Sequence, residues 1–67
     1  MITVRINGHD HELPDGANLA DGVALVTGAS SGIAVALDSE VAPRATWAAT
    51  PLSVGARIEV LTAVQGG

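Results

Sequence analysis

The chain has 67 residues, no cysteine and a formal charge of −4 from three arginines, no lysine and seven acidic residues. That length allows one domain, and near this size a chain buries only about 60% of the surface it exposes when unfolded. Disulfide frameworks, zinc ribbons and thiol nucleophiles are excluded, and an acidic surface disfavours phosphate backbones and anionic lipid. Hydrophobic residues make up 48% of the sequence, but 12 of the 32 are Ala, so 18 Val, Leu and Ile carry most of the burial. The apolar stretches are too short and interrupted for a membrane span, and the amino terminus does not resemble a signal peptide; a cytoplasmic location is expected.

In chain order, Met1 to Asn7 alternates, with Ile2, Val4 and Ile6 on one side and Thr3, Arg5 and Asn7 on the other, which is the period of a half-buried strand. Asn7-Gly8 suits the two positive φ angles of a type I′ turn. A two-residue loop then sets Ile6 against His9, Val4 against His11 and Ile2 against Leu13. Pro14-Asp15-Gly16 breaks the second strand. Asn18 is the expected helix N-cap, with Asp21 three residues on to complement the helix dipole. Leu19, Val23 and Val26 make the apolar stripe of a short helix, Gly22 weakens it by up to about 1 kcal/mol against Ala, and Gly28 is placed to end it in the left-handed conformation.

Ile33 to Leu37 reads as a strand with Ile33, Val35 and Leu37 on one face, closed by an Asp38-Ser39-Glu40 turn. Val41-Ala42 is a short extended piece before Pro43, Thr46 to Ser53 holds a turn around Thr50-Pro51, and Ala56 to Val64 is the last strand. Ile58, Val60 and Val64 share one face of it. One helix across one mixed sheet hides two apolar faces most economically, which makes the fold class α+β. The domain spans 1–64 and a flexible Gly-Gly tail spans 65–67.

Several motifs bear on chemistry. Val26-Thr27-Gly28-Ala29-Ser30-Ser31-Gly32-Ile33 resembles the glycine-rich turn of short-chain dehydrogenases, but Ala34 stands where a third Gly is wanted, and the chain lacks the Tyr and Lys that such catalysis uses. It reads as a helix cap and surface loop. His9 and His11 share a strand face without the converging partners a metal site needs, and read as solvated. No acid–base pair or nucleophile stands out, so no catalytic residue is assigned. Trp47 reads as a packing anchor. Arg44 can pair with a nearby acid or with a partner. Gly66-Gly67, lacking Cβ atoms, can pass through a channel too narrow for side chains, and from Val64 the tail reaches roughly 10 Å at about 3.3 Å per residue.

Gly32-Ile33-Ala34-Val35-Ala36-Leu37-Asp38, Val41-Ala42-Pro43-Arg44-Ala45-Thr46-Trp47, Leu52-x-x-Gly55, Ile58-Glu59-Val60 and Val64-Gln65-Gly66-Gly67 together resemble the ThiS sulfur carriers of thiamine biosynthesis. The resemblance covers the whole chain. It departs at Asp38, where the family often has Asn, at Ala42 (Val) and at Ala56 (Asp). It implies a ubiquitin-like β-grasp fold with a mixed four- to five-stranded sheet and one helix. It also implies a carrier rather than an enzyme, with no cofactor of its own.

In the implied cycle a ThiF-like E1-type adenylyltransferase uses ATP and Mg²⁺ to adenylate the Gly67 carboxylate. Sulfur drawn from a cysteine desulfurase persulfide then displaces AMP, and a ThiG-like thiazole synthase receives sulfur from the thiocarboxylate. Gln65 and Gly66 form the tail. On the last strand Arg57, Glu59, Leu61 and Ala63 point away from Ile58 and Val60, and Ala34 and Ala36 share that outer face. Leu61, Ala63 and Ala36 are therefore candidate docking residues. The alternatives are a molybdopterin-synthase-type carrier, whose members usually show an aromatic and prolines before the glycines where Thr62-Ala63-Val64-Gln65 has neither, and a ubiquitin-like modifier. Without lysine, a modifier could not build Lys-linked chains on itself.

Overall fold

In the computed structural model the described residues are 1–28 and 32–62. The alternating amino terminus forms β1 (Ile2–Ile6), which turns at Asn7 (φ 52°) and Gly8 (φ 83°) into β2 (His9–Leu13). The pairing is antiparallel with Ile2 opposite Leu13, Val4 opposite His11 and Ile6 opposite His9, as the two-residue loop requires. Then come α1 (Leu19–Ala24), β3 (Ile33–Leu37), β4 (Glu40–Val41), a six-residue 3₁₀ helix (Arg44–Ala49) and β5 (Arg57–Thr62). The sheet order is β2-β1-β5-β3-β4, with β1 and β5 parallel and the other pairs antiparallel. This is the expected mixed sheet of the β-grasp kind, with five strands.

Helix α1 begins with a full capping box: Asn18 Oδ1 accepts from the Asp21 N–H at 2.9 Å, and Asp21 Oδ2 accepts from the Asn18 N–H at 2.9 Å. The expected stripe is corrected at its end. Leu19 and Val23 are buried, whereas Val26 is exposed, because the helix stops at Ala24 and the chain tightens into bonds from Leu25 N–H to the Gly22 carbonyl and from Val26 N–H to the Val23 carbonyl. Gly28 is not in the left-handed region; the C-cap is Leu25, in ordinary helical geometry. Ala29, Ser30 and Ser31 of the glycine-rich loop lie outside the described residues.

Gly22 has a second role. A Cβ built on it would stand 3.0 Å from Ile58 Cδ1 and 3.3 Å from Leu52 Cδ1, so its hydrogen lets the helix lie close on the sheet. Around this contact Val4, Ile6, Leu13, Leu19, Val35, Ile58 and Val60 form one core.

Half of the segment read as a turn around Thr50-Pro51, residues 46–49, belongs to the 3₁₀ helix, and Pro43 is that helix's N-cap, in extended geometry. Trp47 is its buried anchor, and its Nε1–H donates to the Ala42 carbonyl at 2.8 Å, giving the indole both an apolar bed and a polar partner. Two backbone bonds, Leu19 N–H to the Thr50 carbonyl and Leu52 N–H to the Ala17 carbonyl, strap this segment to the start of α1.

Strand β5, central in the sheet, is held at both ends by turn side chains. Where β1 turns away at Asn7, the carboxamide continues the ladder: its Oδ1 accepts from the Val60 N–H at 2.8 Å and its Nδ2–H donates to the Val60 carbonyl at 3.2 Å. Where β3 turns away at Asp38 (φ 50°), Oδ1 accepts from the Arg57 N–H at 3.0 Å, while the Asp38 N–H donates to the Arg57 carbonyl at 2.7 Å. Asn and Asp tolerate positive φ and carry an oxygen on a short arm, so each both makes the turn and replaces a missing rung.

Candidate docking face and carrier terminus

Among the described residues the helix covers one side of the sheet, and nothing covers the other. On β5 the alternation buries Ile58 and Val60 and turns Arg57, Glu59 and Leu61 outward; Leu61 is 68% exposed. On β3 the outward residues are Ala34, exposed and opposite Leu61, and Ala36, half-buried and opposite Glu59. Ala36 also pairs with Val41 of β4, which is 82% exposed. Small side chains on β3 thus form the floor of a shallow apolar groove of about 140 Å³ between Leu61 and Val41. A second shallow hollow, lined by Gly32, Ile33, Ala34, Leu61 and Thr62, runs from it to the last described residue.

Of the residues expected at the site, Leu61 and Ala36 are brought to this face; Ala63, Gln65, Gly66 and Gly67 lie outside the described residues, as does Val64. Val41 belongs to the groove and was not expected there. A two-residue turn at Asp38-Ser39, in place of the three-residue turn, would have set Ala36 opposite Val41 from the sequence alone. The two histidines lie on the edge strand β2, His9 exposed and His11 half-buried. Among the described residues no group of three or more His, Cys, Asp or Glu could hold a metal ion, and no helix is long and apolar enough to cross a membrane.

A family model then decides what kind of β-grasp protein this is, for the ThiS family model matches residues 4–67, from β1 through the two final glycines. The chain belongs to the ThiS family. Among solved structures it is similar to the crystal structure of a thiamine biosynthesis protein, ThiS, from Geobacter metallireducens, at 25% identity and a TM-score of 0.79, covering 98% of this chain and 100% of the other. No curated protein sequence matches the chain. Within the ThiS framework the groove gains a clear position: it lies on β3, β4 and β5, on the far side of the sheet from α1, beside the strand that runs toward the terminal glycines.

Proposed function

We propose that this protein is a sulfur carrier of thiamine biosynthesis, with Gly67 as the residue that carries sulfur. The observation that carries this reading is the family match extending through Gly66-Gly67. A carboxylate is a poor electrophile. A ThiF-like E1-type adenylyltransferase, using ATP and Mg²⁺, activates it by attack of a carboxylate oxygen on the α-phosphorus; pyrophosphate leaves and an acyl adenylate remains. The terminal sulfur of a persulfide supplied by a cysteine desulfurase attacks the acyl carbon and expels AMP. Cleavage of the resulting acyl disulfide by a thiol leaves the thiocarboxylate, from which a ThiG-like thiazole synthase takes sulfur for the thiazole ring.

The carrier supplies placement in this scheme, and its partners supply catalysis. Gln65 and Gly66 thread the terminus into each partner's active site, and the outer face of β3, β4 and β5 docks against the partner's body. An exposed leucine and valine flanking an alanine floor suit an apolar contact next to the tether.

Co-expression with the activating enzyme tests the carrier role. The intact mass should rise by the replacement of one carboxylate oxygen with sulfur, and a variant lacking Gly66 and Gly67 should show no gain; absence of the gain in the full chain with an active adenylating partner would overturn the reading. Leu61→Asp should weaken binding to that partner by about tenfold while leaving the far-ultraviolet circular dichroism unchanged. Unaltered affinity would remove Leu61 from the interface.

A further inference from the structure

Two of the three arginines in this acidic chain are brought side by side by the parallel pairing of β1 with β5, in which Arg5 is the register partner of Arg57. Both are exposed, and both point to the face opposite α1, because their neighbours Val4, Ile6, Ala56 and Ile58 are buried. Like charges directly across from one another on adjacent strands are unfavourable in the free protein. Nothing within the described chain neutralises them well. Among the described residues the Arg5 guanidinium makes only long contacts, 3.4 Å to the Gly8 carbonyl and 3.9 Å to Asp10. The Arg57 guanidinium makes no hydrogen bond or ion pair with any described residue, and Glu59, two residues along the same face, stands outside ion-pair distance of it. The two side chains line hollows on both sides of themselves, one with Asn7, Ser39 and Glu59 and the other with Thr3, Asp10 and Val54, so each hollow carries a single acid beside two arginines.

We propose that the Arg5–Arg57 pair receives the carboxylates of an acidic segment on the protein partner that covers the outer sheet face. This rests on the carrier reading and adds the chemistry of the partner's contact surface. Guanidinium forks bind carboxylates bidentately, and a pair held on a central sheet is preorganised for two of them. The pair is continuous with the apolar groove, since Glu59 borders both, and Leu61 lies four residues along β5 from Arg57, roughly 13 Å at about 3.3 Å per residue. A complementary partner therefore presents an apolar contact at the tail end and carboxylates about that far away. The overall charge of −4 repels acidic surfaces elsewhere, so the pair also fixes the direction in which such a partner docks.

The test uses the activating enzyme of the same organism and Arg5→Gln, Arg57→Gln, Leu61→Asp and, as a control, Arg44→Gln, an exposed arginine on the 3₁₀ helix. Arg5→Gln and Arg57→Gln are each expected to raise Kd roughly tenfold and to flatten its dependence on salt, with Arg44→Gln unchanged. If both arginine variants keep the wild-type Kd and salt dependence while Leu61→Asp weakens binding, the proposal falls and the carrier reading stands. If the wild type neither binds nor gains sulfur, the carrier reading fails, and a hexaglutamate peptide followed by the arginine Nε–H resonances decides the pair alone: shifts confined to Arg5 and Arg57 support anion recognition, and none, or equal shifts at Arg44, overturn it.

Discussion

Gly22→Val is expected to lower stability by about 2–3 kcal/mol, within the range for forcing extra methylenes into a packed core. Valine's better helix propensity returns only a few tenths of a kcal/mol. The clash decides the sign, because the new Cβ would start 3.0 Å from Ile58 Cδ1, 3.3 Å from Leu52 Cδ1 and 3.8 Å from Leu13 Cδ1, and valine adds two methyls beyond it. For a domain of this size the expected fall in Tm is roughly 10–20 °C. A single core in so short a chain rarely supplies more than about 3–5 kcal/mol, so this one change consumes most of the margin. Gly22→Ala is a different case. It adds one carbon against the mobile ends of two side chains and gains up to about 1 kcal/mol of helix propensity, so its effect should stay within about 1 kcal/mol of zero. Urea unfolding followed by Trp47 fluorescence distinguishes the two, and a valine variant as stable as the wild type would show that the helix is free to lift off the sheet.

What could be read in the sequence, and what could not, divides along the range of the interactions involved. The β1–β2 register follows from Asn7-Gly8 and the alternation of Ile2, Val4 and Ile6, because a tight turn leaves one pairing that buries Leu13. The helix start follows from Asn18 and Asp21, three residues apart. The helix end does not, since Val26 continues the 3.6-residue spacing without a surface left to cover it. Nor did the 3₁₀ helix show itself: Arg44–Ala49 has a single buried residue, Trp47, and one residue defines no period. Leu61 and Ala36 were legible as outward residues by parity alone, whereas the neighbouring of Arg5 and Arg57 depends on pairing strands at opposite ends of the chain. The same non-local pairing hides the second role of Gly22, whose cost to the helix is visible locally and whose benefit lies against Ile58.

Asn7→Ala should destabilise the protein by about 2–5 kcal/mol, and its effect separates into two causes. Removing the carboxamide leaves the N–H and carbonyl of Val60 facing the side of the sheet from which the β1 backbone has already turned, at about 1–3 kcal/mol for a group left unsatisfied. Alanine at a φ of 52° adds about 1–2 kcal/mol of strain. Asn7→Gly removes the side chain without that strain and so isolates the hydrogen-bond loss. Asn7→Asp keeps the shape and the tolerance of positive φ but replaces the Nδ2 donor with an oxygen aimed at the Val60 carbonyl, so it too should be destabilising. Asp38→Asn is the matched control at the other end of β5. There only an oxygen accepts from the Arg57 N–H, and an amide oxygen serves as well, so the change should stay within about 0.5 kcal/mol. Amide exchange locates the effect: the Val60 N–H should lose protection in every Asn7 variant and keep it in Asp38→Asn. Retained protection in Asn7→Gly would mean that water or a shifted β1 supplies the rung. Because Val60 is two residues from the last described position of β5, the Asn7 carboxamide fixes the final part of the strand from which the tail departs. A loss of sulfur loading in Asn7→Gly under conditions where it remains folded would tie that hydrogen-bond pair to the placement of Gly67.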